Sequence, residues 1–259
     1  MQKYLEIDNC GEKLAAEICL AGNVKNSPCL ILGHGLTGNR NERLLIEISK
    51  KLYDTGISSI RFDYDGHGES SGRQENVTIR KEVSDLLSVL HYAKSLPEID
   101  ASEIFIGGHS LGGLTAVLAC AAEPEAFAGL VLLSPAFTLY HELIAGLTGD
   151  RLYRFIESGN LDLGGFLIGR ALIDESAGTD GFAAAGKISP DALLIHGDND
   201  RDTPPYNSVL LKQIWGEKAV LKLIPGADHC YRDRRSMDQV AAEISTYLQN
   251  IIHNRRKTL

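Results

Sequence analysis

Phe105-Ile106-Gly107-Gly108-His109-Ser110-Leu111-Gly112-Gly113-Leu114 is a short apolar run, a serine set between glycines, and a second apolar run at helical spacing. Residues 108–112 fit G-x-S-x-G, a nucleophile elbow. In that geometry a strand turns sharply into a helix and leaves the serine Oγ at the apex. The backbone is crowded there, and residues without a Cβ relieve the crowding. The helix that follows points free N–H groups back at the serine, where an oxyanion can be held. Taken alone, the stretch also fits a glycine-rich strand–helix turn capped by a serine. A chain of this length holds such a match by chance about one time in ten, so the flanking sequence decides.

Outward from the elbow, the chain alternates. Residues 104–106 read as the strand entering it and 114–122 as the helix leaving it. Upstream, Cys29-Leu30-Ile31-Leu32 suits a central strand buried on both faces, and it ends in Gly33-His34-Gly35-Leu36-Thr37-Gly38. Leu45, Ile48 and Leu52 mark a helix. A strand over 57–62 then runs into the turn-rich loop 63–70, and Val83, Leu86, Leu87 and Leu90 mark an amphipathic helix. Downstream, 130–133 and 192–195 are apolar strands, 205–215 reads as a helix, and 220–224 is the last strand. Val240, Ile244, Tyr247, Leu248 and Ile251 form the stripe of a closing helix. At the N-terminus, 2–8 and 13–21 flank Asn9-Cys10-Gly11-Glu12 as a β-hairpin. The pattern predicts an α/β fold with a mostly parallel central sheet and helices on both faces. Ligands of such sheets bind beyond the carboxyl ends of the strands, where loops 33–38, 63–70 and 108–112 all fall.

From 136 to 187 this rhythm stops. Glycines are frequent and apolar residues are scattered. About fifty residues of this kind inside a domain suit an insertion rather than a loop. The expectation is a core domain formed by 1–135 and 188–259, and a small cap insertion, 136–187, over the strand ends.

A chain of 259 residues fits one α/β domain with such an insertion. The net charge of −8 and pI near 5.5 argue against nucleic acid and against an anionic membrane surface as partners. Arg255-Arg256-Lys257 reads as a frayed, solvated end. Cys10, Cys19, Cys29, Cys120 and Cys230 form no CxxC pair and are odd in number, as expected of reduced thiols in a cytoplasmic protein. No signal peptide is read at the N-terminus, and no apolar run is long enough to span a membrane. The histidines lack metal-ligand spacing, so no metal and no cofactor is expected. Monomer and homodimer both stay open.

A serine hydroxyl is a weak nucleophile near neutral pH and needs a base, which needs an orienting acid. Strand ends supply both, in the order Ser110, an acidic loop near Asp200, and His229. Four stretches then resemble the α/β-hydrolase family. They are His34-Gly35-Leu36-Thr37-Gly38, Gly108-His109-Ser110-Leu111-Gly112, His196-Gly197-Asp198-Asn199-Asp200 with Thr203-Pro204, and Gly226-Ala227-Asp228-His229. The stretch Arg61 to Ser70, Leu163-Gly164-Gly165-Phe166, and Gly226 through Cys230-Tyr231 further resemble bacterial cinnamoyl or feruloyl esterases. Monoacylglycerol lipases and peptidases share much of that pattern.

The resemblance implies Ser110 as nucleophile, His229 as base, and Asp200 as the acid five residues into H-G-x-x-D, with Asp198 and Asp202 as alternatives. It also implies the Leu36 and Leu111 N–H groups as the oxyanion hole. His34, Tyr140 and Phe166 are candidate substrate contacts, beside Tyr153 and Phe155. Bland roles compete for each: His34 braces its loop, His67 bonds within its own, and the aromatics are the cap's own core. The expected activity is a serine carboxylesterase hydrolysing small or aromatic esters, hydroxycinnamates included, with a small-molecule ester as partner. A monoacylglycerol lipase or aminopeptidase-like serine hydrolase is the alternative. A non-enzymatic ligand-binding relative is the third reading.

Overall fold

A computed structural model describes residues 2–21 and 26–258. In chain order, β1 (Gln2–Asn9) and β2 (Glu12–Cys19) lead to β3 (Ser27–Gly33), α1 (Arg43–Asp54), β4 (Ser58–Phe62), α2 (Ile79–Ser95), β5 (Ile99–His109), α3 (Leu111–Ala122) and β6 (Gly129–Leu133). Then come α4 (Leu139–Ala145), α5 (Gly149–Ser158), β7 (Asn160–Asp162), β8 (Leu167–Gly169), α6 (Arg170–Gly178) and α7 (Gly181–Ala185). β9 (Ala192–Gly197), α8 (Tyr206–Trp215), β10 (Ala219–Ile224) and α9 (Arg234–Thr258) complete the chain. Among the described residues no helix is long and apolar enough to cross a membrane.

The unbroken apolar runs take the middle of the sheet. Its order is β1-β2-β4-β3-β5-β6-β9-β10, antiparallel at β1–β2 and β2–β4 and parallel from β4 onward. β3 and β6 are buried along their whole length. Successive side chains on a strand point to opposite faces, so β3 sends Leu30 and Leu32 toward α1 and α9, and Cys29 and Ile31 toward α2 and α3. In the β1–β2 hairpin, Cys10 (φ +56°) and Gly11 (φ +93°) are both left-handed, the backbone of a type I′ turn.

Three features differ from the sequence expectation. β5 starts at Ile99, five residues early, because Asp100, Ser102 and Glu103 hide its pattern. The C-terminal tail is helical through 258 rather than frayed: the Arg256 guanidinium reaches the buried Glu103 carboxylate at 2.5 Å. The segment 136–187 is not uniform. α4 and α5 lie toward the strand ends, and the short β7–β8 hairpin leans on the loop after β4, where the Leu167 N–H donates to Gln74 Oε1 at 3.0 Å. α7 packs on α3, with Gly181 against Leu114 and Phe137. Its end accepts a bond from Trp215 Nε1–H to the Ala185 carbonyl at 3.0 Å.

Buried charge ties the loops to the sheet. Glu17 and Arg61 face each other in the β2–β4 register and pair in the interior. The Arg61 guanidinium also donates to the Arg40 carbonyl, and Arg40 pairs with Asp63 and Glu69. Asp63 Oδ2 further accepts the Glu69 N–H at 2.9 Å. Removing one partner of a buried pair strands a charge. Arg61→Met is therefore expected to destabilise the fold by about 3–5 kcal/mol. Urea denaturation of Arg61→Met and of the Glu17→Leu/Arg61→Met double variant checks this: the double variant should recover most of the loss.

Candidate active site

The elbow folds as its glycines require. Ser110 sits at φ +56°, ψ −119°, between the end of β5 and the start of α3. A Cβ on Gly108 would collide with the Gly112 carbonyl, and one on Gly112 would stand 2.6 Å from the His34 carbonyl oxygen. The turn is pinned on both sides: the Ser110 N–H donates to Leu133 O at 2.9 Å, and its carbonyl accepts the Ala136 N–H at 3.0 Å. Gly35 passes close overhead, where a Cβ would lie 3.2 Å from Ser110 Cβ. Among the described residues, neither the Leu36 nor the Leu111 N–H meets a protein acceptor. Both belong to loops that converge on Ser110, where a tetrahedral oxyanion needs donors.

The loop after β9 separates its three acids. Asp200 Oδ2 lies 2.7 Å from His229 Nδ1. Asp198 instead accepts the Gly226 N–H at 2.6 Å, and Asp202 lines the cavity. Asp228 holds the Arg232 side chain at 2.9 Å. Asp200 Oδ1 accepts the N–H groups of Asp202 and Thr203, at 3.0 and 2.9 Å. His196 Nε2 also faces Asp200 Oδ2, at 3.2 Å. Burial works to raise the Asp200 pKa. The bonds from His196 and His229 and the His229 charge outweigh it and hold the carboxyl well below the usual range.

Ser110 and His229 open on one cavity of about 770 Å³. Leu36, Leu139, Leu143 and Leu163 give it an apolar side; Glu42, Glu142, Arg151, Arg201 and Asp202 are its charged rim. Burial raises the Glu142 carboxyl, against bonds from Thr138 and Thr203 that lower it. Among the described residues, no three His, Cys, Asp or Glu side chains are grouped to hold a metal ion, and the five cysteines are free thiols.

The three proposed substrate contacts do not line this cavity. His34 is buried beneath loop 33–38: its Nδ1–H donates to the Gly35 carbonyl at 2.8 Å and its Nε2 accepts the Tyr64 N–H at 3.1 Å. Burial, then the neighbouring His67, lower its pKa to about 3. Phe166 stacks on the His67 ring, centroids 4.8 Å apart, and Tyr140 packs against the core beside His141. His141 itself lines the cavity. Tyr153 is exposed and Phe155 packs on the core. His67 bonds within its own loop, Nδ1 lying 3.2 Å from the Asp65 carbonyl oxygen, and also reaches outside it, with Nε2 2.5 Å from the Leu36 carbonyl oxygen. The sequence marks His196 as the opening of the acid loop but singles out neither Glu42 nor Glu142. Only His196 carried a signal, its i,i+4 spacing to Asp200 after a strand.

Comparison with known proteins places this geometry among hydrolases. The family model for serine aminopeptidase, S33, matches residues 25–162. The structure of Est1E from Butyrivibrio proteoclasticus with ferulic acid bound superposes with a TM-score of 0.86 at 29% identity, over 96% of this chain and 99% of that one. The monoglyceride lipase of Rattus norvegicus is 34% identical over 91 residues, 34% of this chain and 29% of that protein. The mitochondrial palmitoyl-protein thioesterase ABHD10 of Mus musculus is 31% identical over 121 residues, 45% of this chain and 39% of that protein. The matched stretches thus span roughly a third of these curated relatives' lengths.

The depressed Asp200 pKa fixes a pH signature. A carboxylate with a lowered folded pKa adds stability that is fully present above its unfolded pKa, ~4, and is lost as pH falls toward the folded value. Asp200→Asn should therefore lower Tm most above about pH 5, with the difference from wild type shrinking below about pH 4. Calorimetric melting across this range checks it.

Proposed function

The chain belongs to the serine aminopeptidase S33 family and has the α/β-hydrolase fold, and from that premise we propose that it is a serine carboxylesterase for small or aromatic esters. One observation carries the reading: Ser110 on a strained elbow opens on the same cavity as His229, which Asp200 holds at 2.7 Å, and among the described residues the Leu36 and Leu111 N–H groups of the adjoining loops meet no protein acceptor. Asp200 holds His229 Nδ1 protonated, which leaves Nε2 as the base. Ser110 Oγ attacks the acyl carbon as Nε2 takes its proton. The Leu36 and Leu111 N–H groups receive the oxyanion. His229 then returns the proton to the leaving alcohol, and water hydrolyses the acyl-enzyme by the same steps in reverse roles.

The leucines at 36, 139, 143 and 163 suit an apolar or planar acyl group, and the likeness to a ferulic acid complex supports a hydroxycinnamate. The segment 136–187 acts as the cap through residues 138–163, which supply Leu139, His141, Leu143 and Leu163 to the cavity. A second reading, an aminopeptidase-like amidase, draws on Glu42, Glu142 and Asp202, carboxyl groups placed to meet a substrate ammonium.

A panel of nitrophenyl, methyl hydroxycinnamate and monoacylglycerol esters with aminoacyl amides separates these readings. The aromatic esters should give the highest kcat/KM; an aminoacyl amide or medium-chain glyceride preferred by orders of magnitude overturns the esterase. Ser110→Ala should lower kcat by a factor on the order of 10⁶ and abolish fluorophosphonate labelling. Full labelling of the Ser110→Ala protein would remove Ser110 as nucleophile.

A further inference from the structure

His109, between Gly108 and Ser110, is buried with one nitrogen unmet. Its Nε2 lies 2.8 Å from the His229 carbonyl oxygen. A carbonyl only accepts, so Nε2 carries the proton and Nδ1 presents a lone pair. No donor reaches that lone pair. The polar atom facing it is Glu42 Oε2, at 3.9 Å. Glu42 stands just before α1, and its carboxyl group lies over Gly38 of the oxyanion loop so closely that a Cβ there would collide with it. On one side is the catalytic cavity. On the other is a second cavity of about 320 Å³, and Glu42, His109 and Cys230 form the wall between them. The titratable and charged groups facing Glu42 are His109 from β5, His229 and Cys230 from the loop after β10, its neighbour Arg43, and Arg232, which is paired with Asp228.

We propose that Glu42 is a positioning residue: as a carboxylic acid it donates a hydrogen bond to His109 Nδ1, and through His109 it holds the His229 main chain in place beside Ser110. Closing the gap to a usual ~2.8 Å takes a side-chain shift of about 1 Å. The proposal rests on the reading of Ser110, His229 and Asp200 as the acyl-transfer triad. A carboxylate has no proton to give, so ionised Glu42 leaves two acceptors facing each other. Burial lifts the Glu42 pKa to about 7, against the pull of His229, which lowers it. His109 stays neutral throughout, since burial, then the nearby His229, bring its ring to about 3. The bond is thus made below about pH 7 and lost above it. A Gln at position 42 donates from its amide at every pH.

The first test is ¹⁵N NMR of the His109 ring in the full chain. In wild type the Nδ1 shift moves from hydrogen-bonded to free acceptor with a midpoint near pH 7; in Glu42→Gln it stays bonded, and in Glu42→Ala it stays free. The second is the rate of fluorophosphonate labelling of Ser110 between pH 6 and 9. Wild type should lose ~3- to 10-fold above pH 7, the scale of one hydrogen bond, and Glu42→Gln should lose this alkaline limb. A wild-type Nδ1 shift that does not titrate, or the same alkaline limb in wild type and Glu42→Gln, overturns the proposal. A Ser110 that neither labels nor turns over esters refutes the triad reading instead, and the NMR arm still decides the Glu42–His109 contact.

Discussion

The carbonyl groups of Gly33 and His34 occupy the space that any side chain on residue 112 would need. The strand-end loop after β3 and the turn after β5 cross at contact distance, and much of the site follows from that crossing. It sets Ser110 beneath Gly35, in a loop whose next residue is Leu36. It also forces the left-handed backbone at Ser110, a conformation that costs a non-glycine residue of order 1–3 kcal/mol. The bonds from Ser110 N to Leu133 and from Ala136 to the Ser110 carbonyl help hold it there.

Histidines hold the loops that meet at this crossing. His34 donates to the carbonyl of Gly35 and His67 to that of Leu36, so two imidazoles fix loop 33–38. His109 donates to His229, and His196 faces the carbonyl of Thr203 in the acid loop. A buried neutral imidazole suits this work because it satisfies a main-chain acceptor without bringing a charge into the interior. The charged ties, around Arg40 and Arg61, are buried as well, and there carboxylates are at hand to pair with them.

The sheet was legible because its central strands are buried on both faces and read as unbroken apolar runs, as at Cys29 to Leu32 and Leu130 to Leu133. The order of Ser110, Asp200 and His229 was legible because each stands just past a strand end. Spacing alone left three acids in one loop and the H-G-x-x-D resemblance pointed to Asp200; the structure turns Asp198 to Gly226 and Asp200 to His229. His34 and Phe166 looked like ligand contacts, being a polar and an aromatic residue near the site, yet both are spent on packing the loops around His67. Glu42 left no trace in the sequence: the residue it faces, His109, is 67 positions away, and a glutamate before a helix is ordinary.

The two halves of 136–187 are anchored very differently. α7 is sewn to α3 and to Trp215, whereas α5 contributes no buried residue and shows Leu152, Tyr153 and Ile156 to solvent. A surface helix that supports little of the core tolerates replacement. Yet Arg151 on α5 and Leu143 and Leu163 on either side of it line the cavity on which Ser110 and His229 open. Substitutions within 139–163 can therefore reshape the cavity wall at little cost to folding, because the stretch that builds this wall is not the stretch that holds the sheet together.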